Sequence, residues 1–125
     1  MPQVFDYLYR DASNYKAYRS LRLTGKPWSR MDLERLRGKL DCGEYFIPEQ
    51  VGLEPIDDLT EQFGANEDDD DWHEFVGVRN SAPGEELLET DGDALLKAFL
   101  AVEHWDPALG DSLAKWARCV SPRER

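Results

Sequence analysis

Two runs of alternating side chains near the start of the chain constrain its fold more than any other feature. In residues 4–10 aromatic side chains recur at every second position, and in residues 15–24 apolar side chains do the same, with one arginine among them. A period of two is typical of a strand that buries one face. Residues 11–14, between the two runs, are turn formers, so we predict a β-hairpin.

A helix and two further strands are predicted in the middle of the chain. Ser29, three residues before Asp32, is typical of a helix N-terminus, and the leucine spacing that follows predicts an amphipathic helix over residues 30–40. Residues 44–47 are a short strand candidate that a proline cuts off. Residues 72–78 alternate again and predict another strand.

The strand predicted over residues 72–78 has two distinct faces. Alternation places Trp72, Glu74, Val76 and Val78 on one face and His73, Phe75 and Gly77 on the other. We expect Trp72, like the hairpin's aromatic residues, to line a core between sheet and helices.

In chain order these elements predict an α+β fold. We expect a small antiparallel sheet that starts with the N-terminal β-hairpin, helices packed on one face, and two C-terminal helices that begin near residue 90 and at Pro107. A single α+β domain over residues 1–120 accommodates all of these elements. Within it we predict a mobile acidic loop at about 64–71, and after it a frayed tail at 121–125.

The charge of the chain is distributed very unevenly. The formal net charge is −11 for 125 residues. Residues 41–111 hold 21 acidic and 2 basic residues, whereas residues 1–40 hold 9 basic and 4 acidic ones and residues 112–125 hold 4 basic and 1 acidic. This pattern has two interpretations: the basic ends neutralise the acidic middle within the chain, or the middle presents an anionic surface to a basic partner.

The candidate metal ligands are the acidic run Asp68–Asp71 with His73, Glu74 and His104. The run lacks the central glycine of a calcium-binding EF-hand loop, and His73-Glu74 lacks the second helical histidine of a zinc protease. The chain also has no pair of cysteines at zinc-binding spacing. We therefore expect no metal and no cofactor.

Catalytic signatures are absent from the sequence as well. The chain has no Gly-x-Ser-x-Gly motif and no glycine-rich phosphate loop. A lone strand histidine such as His73, with no identifiable partner, is more often structural than catalytic. We assign no catalytic residue and expect a protein that is not an enzyme.

The compartment expected from the sequence is the cytoplasm. The N-terminus lacks the charged start and apolar run of a signal peptide, and the longest apolar stretch, residues 94–102, is interrupted by Lys97 and too short for a bilayer. We expect no membrane association. In a reducing compartment the only cysteines, Cys42 and Cys119, are expected to be free thiols.

Three segments resemble a family of small, acidic, uncharacterised bacterial proteins. They are Asp-Ala-Ser-Asn-Tyr-Lys at 11–16, Phe-Ile-Pro-Glu-Gln-Val-Gly-Leu at 46–53, and Trp-His-Glu at 72–74. The resemblance covers roughly residues 5–75. It implies a bacterial cytoplasmic protein and brings no activity with it.

The function expected from these observations is binding of a basic protein partner by a non-enzymatic acidic protein. The binding segment is the carboxylate-rich stretch 54–74, in which carboxylates would take positions that phosphates otherwise occupy. An inhibitor, an immunity protein or a nucleic-acid mimic would work in this way. The residues expected to contact the partner are Glu67, Asp68, Asp69, Asp70, Asp71, Trp72 and Glu74.

Three alternatives stay open. The first is a small metal-dependent hydrolase that uses the Asp run with His73 and Glu74. The second is a homo-oligomeric scaffold subunit that pairs its basic ends with its acidic middle. The third is nucleic-acid binding by Lys16, Tyr18 and Arg22 of the hairpin, which the net charge of −11 makes unfavourable, so we expect no nucleic-acid partner.

Overall fold

A five-stranded sheet organises the chain, and the computed structural model describes it over residues 2–10, 14–56 and 72–106. The strands are β1 (Gln3–Arg10), β2 (Lys16–Thr24), β3 (Tyr45–Phe46), β4 (His73–Asn80) and β5 (Leu88–Asp91). The helices are α1 (Arg30–Lys39), α2 (Gly92–Ala101) and a short 3-10 helix, Pro48–Val51. The predicted α+β class is confirmed over this part of the chain. The helix predicted from Pro107, the acidic loop and the tail lie outside the described residues.

The sheet is mixed, with strand order β3-β4-β1-β2-β5. β1 pairs with β2 in the predicted hairpin, and it pairs with β4 on its other side, both antiparallel. β5 runs parallel to β2. The prediction of a purely antiparallel sheet is therefore wrong, because the chain crosses from β4 past β1 and β2 and then pairs with β2 in the same direction.

The core lies between the sheet and the two α-helices, on the face that carries Phe5, Tyr7 and Tyr9. Phe5 is fully buried at its centre, with five aromatic rings whose centroids lie 5.2 to 6.3 Å from its own. Rings at such separations attract one another beyond the effect of burial alone. The predicted aromatic face of β1 is therefore the core face.

A bulge in β4 shifts the faces that simple alternation assigns. Tyr7 pairs with Phe75 and Asp6 with Gly77, so Val76 is left without a partner on β1. An extra residue reverses the side on which the following residues lie. Val78 consequently pairs with Phe5 and packs against the core on the same face as Phe75, whereas simple alternation places Val78 and Phe75 on opposite faces.

The second face of the sheet, opposite the helices, we call the open face. Val4 and Leu8 of β1 point to this face, yet they are 0% and 6% exposed. The connection between β4 and β5 crosses near Val4, because Glu85 bonds both Arg22 and Arg79, which flank Val4 in the register. The connection carries the chain from β4 over the open face to β5, which forms an edge of the sheet.

Local signals account for the helix starts. Ser29 and Asp32 form the predicted reciprocal capping box at the start of α1. Asp91 caps α2 by accepting the backbone N–H of Ala94. Gly92, the next residue, lies so close to the end of β2 that a Cβ at this position would be 2.8 Å from the carbonyl oxygen of Thr24.

Two further findings concern Cys42 and the helices. Cys42 is disulfide-bonded, so the prediction of a free thiol is wrong at this position. Disulfides are rare in reducing compartments, and this bond therefore weighs against the reasoning that led to the cytoplasm. Within residues 2–10, 14–56 and 72–106, no helix has the length and apolar character needed to cross a membrane.

Candidate partner-binding site

The two ends of the acidic segment are joined by one hydrogen bond. The backbone N–H of Ile56 donates to Nε2 of His73 at 2.9 Å. Both residues are buried, at 3% and 2% exposure. A ring nitrogen that accepts a hydrogen bond carries no proton, so the neutral imidazole of His73 holds its proton on Nδ1.

Aromatic rings surround His73 on the core face of the sheet. Its ring centroid lies 5.1 Å from that of Tyr9, 6.0 Å from that of Tyr7 and 6.2 Å from that of Phe46. The packing holds the imidazole in place beside Ile56. His73 thus positions the backbone where the acidic segment begins, and it lies at the start of the strand that follows the segment.

Trp72 marks the other end of the segment, and it is only 5% exposed. Its indole is therefore part of the protein interior, but Trp72 does not belong to the core between the sheet and the helices, where the sequence pattern predicts it. Residues 57–71, between Ile56 and Trp72, contain eight carboxylates and no basic residue. The site residues predicted within this stretch, Glu67 and Asp68–Asp71, lie outside the described residues.

Glu74 points to the open face, away from His73. It pairs with Leu8 in the register, and its carboxylate accepts a hydrogen bond from Nε of Arg10 at 2.9 Å. Arg10 also donates to Oδ1 of Asn14 at 2.6 Å, just after the hairpin turn. Glu74 therefore fastens the start of β4 to the hairpin, while His73 fastens it to Ile56.

The described candidate ligands do not converge on one point. His73 and Glu74 are neighbours on β4 with opposite orientations, and His104 is exposed beyond α2. In the part of the chain that the structure describes, no three His, Cys, Asp or Glu side chains are grouped so that they could hold a metal ion.

Arginines of the hairpin pair with carboxylates of the acidic middle. Besides Arg10 with Glu74, Arg19 approaches Glu54 at 3.8 Å and Arg22 approaches Glu89 at 3.9 Å. Such partly exposed ion pairs each contribute little to stability. They support the interpretation that the basic end of the chain neutralises part of the acidic middle.

A second ion-pair cluster on the open face was not predicted from the sequence. Arg79 bonds Asp6 at 2.8 Å and Glu85 at 2.7 Å. The hydrogen bond from Arg79, followed by the one from the backbone N–H of Ala82, lowers the pKa of Glu85 to about 2. The sequence signal that could have pointed to this cluster is the isolation of Arg79, which is one of only two basic residues in residues 41–111.

Comparison of the chain with family models, curated proteins and solved structures gives no match. The positions of His73, Trp72 and Glu74 and the charge of residues 57–71 are therefore the grounds for assigning a function.

Proposed function

We propose that the protein is a non-enzymatic acidic protein that binds a basic protein partner through its carboxylate-rich segment 54–74. The observation that carries the proposal is the hydrogen bond between Ile56 and His73. It joins the start of a stretch with eight carboxylates and no basic residue to the strand that follows it.

The hydrogen bond between Ile56 and His73 holds the two ends of the segment together, and this matters because the like charges within the segment repel one another. A chain segment of this charge gains nothing by itself from bringing its ends together, and the folded framework must supply the free energy. The buried Ile56, His73 and Trp72 supply it through packing and one hydrogen bond. The folded framework thereby holds the ends of the negatively charged segment, and the concentrated charge favours fast, electrostatically steered association with a cation-rich surface.

The framework residues and the contacting residues have different roles in this proposal. Trp72 is buried and Glu74 is paired with Arg10, so both act as supports of the segment. Contact with the partner falls to the carboxylates of residues 57–71. A partner that normally binds phosphates, such as a nuclease, a toxin or another nucleic-acid-binding effector, has the matching positive surface.

A pull-down from bacterial lysate with matched charge variants tests the proposal. The triple variant D69N/D70N/D71N removes three carboxylates from the segment. The control E44Q/E49Q/E103Q removes three exposed carboxylates elsewhere and has the same net charge. We expect wild type and control to retain one basic partner at low salt and to release it at about 0.5 M salt, where charges are strongly screened.

The segment variant is expected to lose that partner at low salt. Equal retention by all three proteins would overturn the role of the segment. Retention that is the same at both salt concentrations would overturn the electrostatic mechanism.

A further inference from the structure

Strand β5 forms one edge of the sheet. Within the described residues it pairs with β2 and with no other strand. The carbonyl of Thr90 faces β2, because it accepts a hydrogen bond from the hydroxyl of Thr24 at 3.3 Å. Backbone groups of successive strand residues point in opposite directions, so the N–H and C=O of Glu89 point outward, away from the sheet.

The side chains along this edge are acidic, with one large apolar exception. Leu88 is 74% exposed, the largest exposure of any big hydrophobic residue in the described chain. Four exposed carboxylates lie on or beside the strand: Glu86, Glu89, Asp91 and Asp93. Arg22 of β2 approaches Glu89 at 3.9 Å, and the sequence has no basic residue between Arg79 and Lys97.

The charge pattern selects among the strands that could add to this edge. An exposed edge is a template for pairing with another chain. A second copy of β5 would bring carboxylates opposite carboxylates, and like charges on neighbouring strands destabilise the pair. A lysine- or arginine-rich strand would instead place its cations beside Glu86 and Glu89.

We propose that β5 is a docking edge for an extended basic segment of a partner protein. The segment forms backbone hydrogen bonds with the outward-facing groups of Glu89, places alternate cations near the exposed carboxylates and covers Leu88 with an apolar side chain. This is strand addition, in which the main chain supplies affinity and alternate side chains supply specificity. None of the residues of this edge belongs to the segment 54–74, so the proposal does not depend on the function proposed for that segment.

Two synthetic peptides test the proposal with the wild-type protein. The first alternates lysine and valine. The second has the same sequence with N-methyl groups on every backbone nitrogen, which removes the donors along both edges of the peptide and leaves its charge unchanged. We expect the first peptide to bind and the second to bind about tenfold more weakly, from the loss of main-chain hydrogen bonds.

The location of binding is read from amide chemical shifts in a two-dimensional nitrogen–proton NMR spectrum. We expect shifts at residues 88–91 and weaker binding by the variant E86Q/E89Q than by the control E49Q/E103Q. Equal affinity for the two peptides, or shifts confined to residues 57–71, would overturn docking at β5. The latter result would still leave the acidic segment as a binding site, so the two proposals fail separately.

Discussion

Nε2 of His73 accepts the backbone N–H of Ile56 at 2.9 Å, and both residues are buried. This single contact connects residues on either side of a stretch that holds eight of the chain's 26 carboxylates. It also gives the histidine a structural role, since the lone pair that a catalytic base would use is occupied by Ile56.

Replacing His73 therefore tests the framework of the acidic segment. His73→Ala removes the acceptor, leaves the N–H of Ile56 buried without that partner and opens a cavity among aromatic rings. We expect a loss of about 2–4 kcal/mol in the free energy of unfolding, measured by urea denaturation. The exposed His104 offers a control, and His104→Ala should change the same quantity by less than about 0.5 kcal/mol. Similar losses of unfolding free energy in both variants would show that the contact between Ile56 and His73 makes no specific contribution to stability.

The ion pair between Arg79 and Glu85 predicts a dependence of stability on pH. The pKa of Glu85 is lowered to about 2 from its ordinary value of 4.5, so its carboxylate binds protons less readily in the folded state than in the unfolded one. Its contribution is therefore present above about pH 4.5 and is lost as the pH falls towards about 2. Glu85→Gln should lower stability near neutral pH, and its difference from wild type should shrink over that window.

The measurement is a series of urea unfolding curves between about pH 7 and pH 2.5. Glu103→Gln, an exposed carboxylate, serves as the control and should stay parallel to wild type throughout. A wild-type advantage over Glu85→Gln that is equally large at both ends of the pH range would contradict the assignment.

Much of the sheet could be predicted from the sequence because its signals are local. The aromatic alternation of β1, the turn formers after it and the pairing of Ser29 with Asp32 act within a few residues, and each predicted the observed element. The same local alternation placed His73 opposite Glu74 on β4. It did not reveal that Ile56 approaches His73, because that contact depends on how distant segments pack.

β5 was missed for a related reason. Leu88–Asp91 has one large apolar side chain and two carboxylates, so it carries little of the alternation that identifies a buried strand. Its pairing partner, β2, lies more than 60 residues earlier, and the connection that brings the two together is held by Glu85. The bulge at Val76 also escaped prediction, since the unpaired residue is defined only by the register against β1.

Tyr7 gives a second pH-dependent prediction, at the alkaline end. Burial raises the pKa of Tyr7 above 10, and its hydroxyl donates to the carbonyl of Glu54 at 2.8 Å. The folded state therefore keeps a proton that the unfolded state loses, and the associated stability is present below about pH 10 and disappears as the pH rises through the folded-state pKa. Wild type should lose stability above pH 10 more steeply than Tyr7→Phe.

Guanidinium unfolding between about pH 8 and pH 11 measures this difference. Near pH 8 Tyr7→Phe should cost about 1 kcal/mol, the usual net value of one hydrogen bond. Tyr18→Phe is the control, because Tyr18 is 61% exposed and should follow wild type. If Tyr7→Phe followed wild type just as closely at alkaline pH, the buried hydroxyl would not be the group that titrates.

Gly92 and Gly38 both lie in helices, and we expect replacement by alanine to change stability in opposite directions at the two positions. At Gly92 a Cβ would lie 2.8 Å from the backbone carbonyl oxygen of Thr24 and 3.3 Å from Nε1 of Trp28, which donates to the Gly92 carbonyl. Gly92→Ala must push α2 away from the end of β2, and we expect a loss of about 1–3 kcal/mol. At Gly38 nothing lies within 4 Å, so Gly38→Ala should stabilise α1 by about 0.5–1 kcal/mol through helix propensity. Thermal unfolding of the two variants beside wild type decides the point, and a stabilised Gly92→Ala protein would mean that α2 is free to move away from β2.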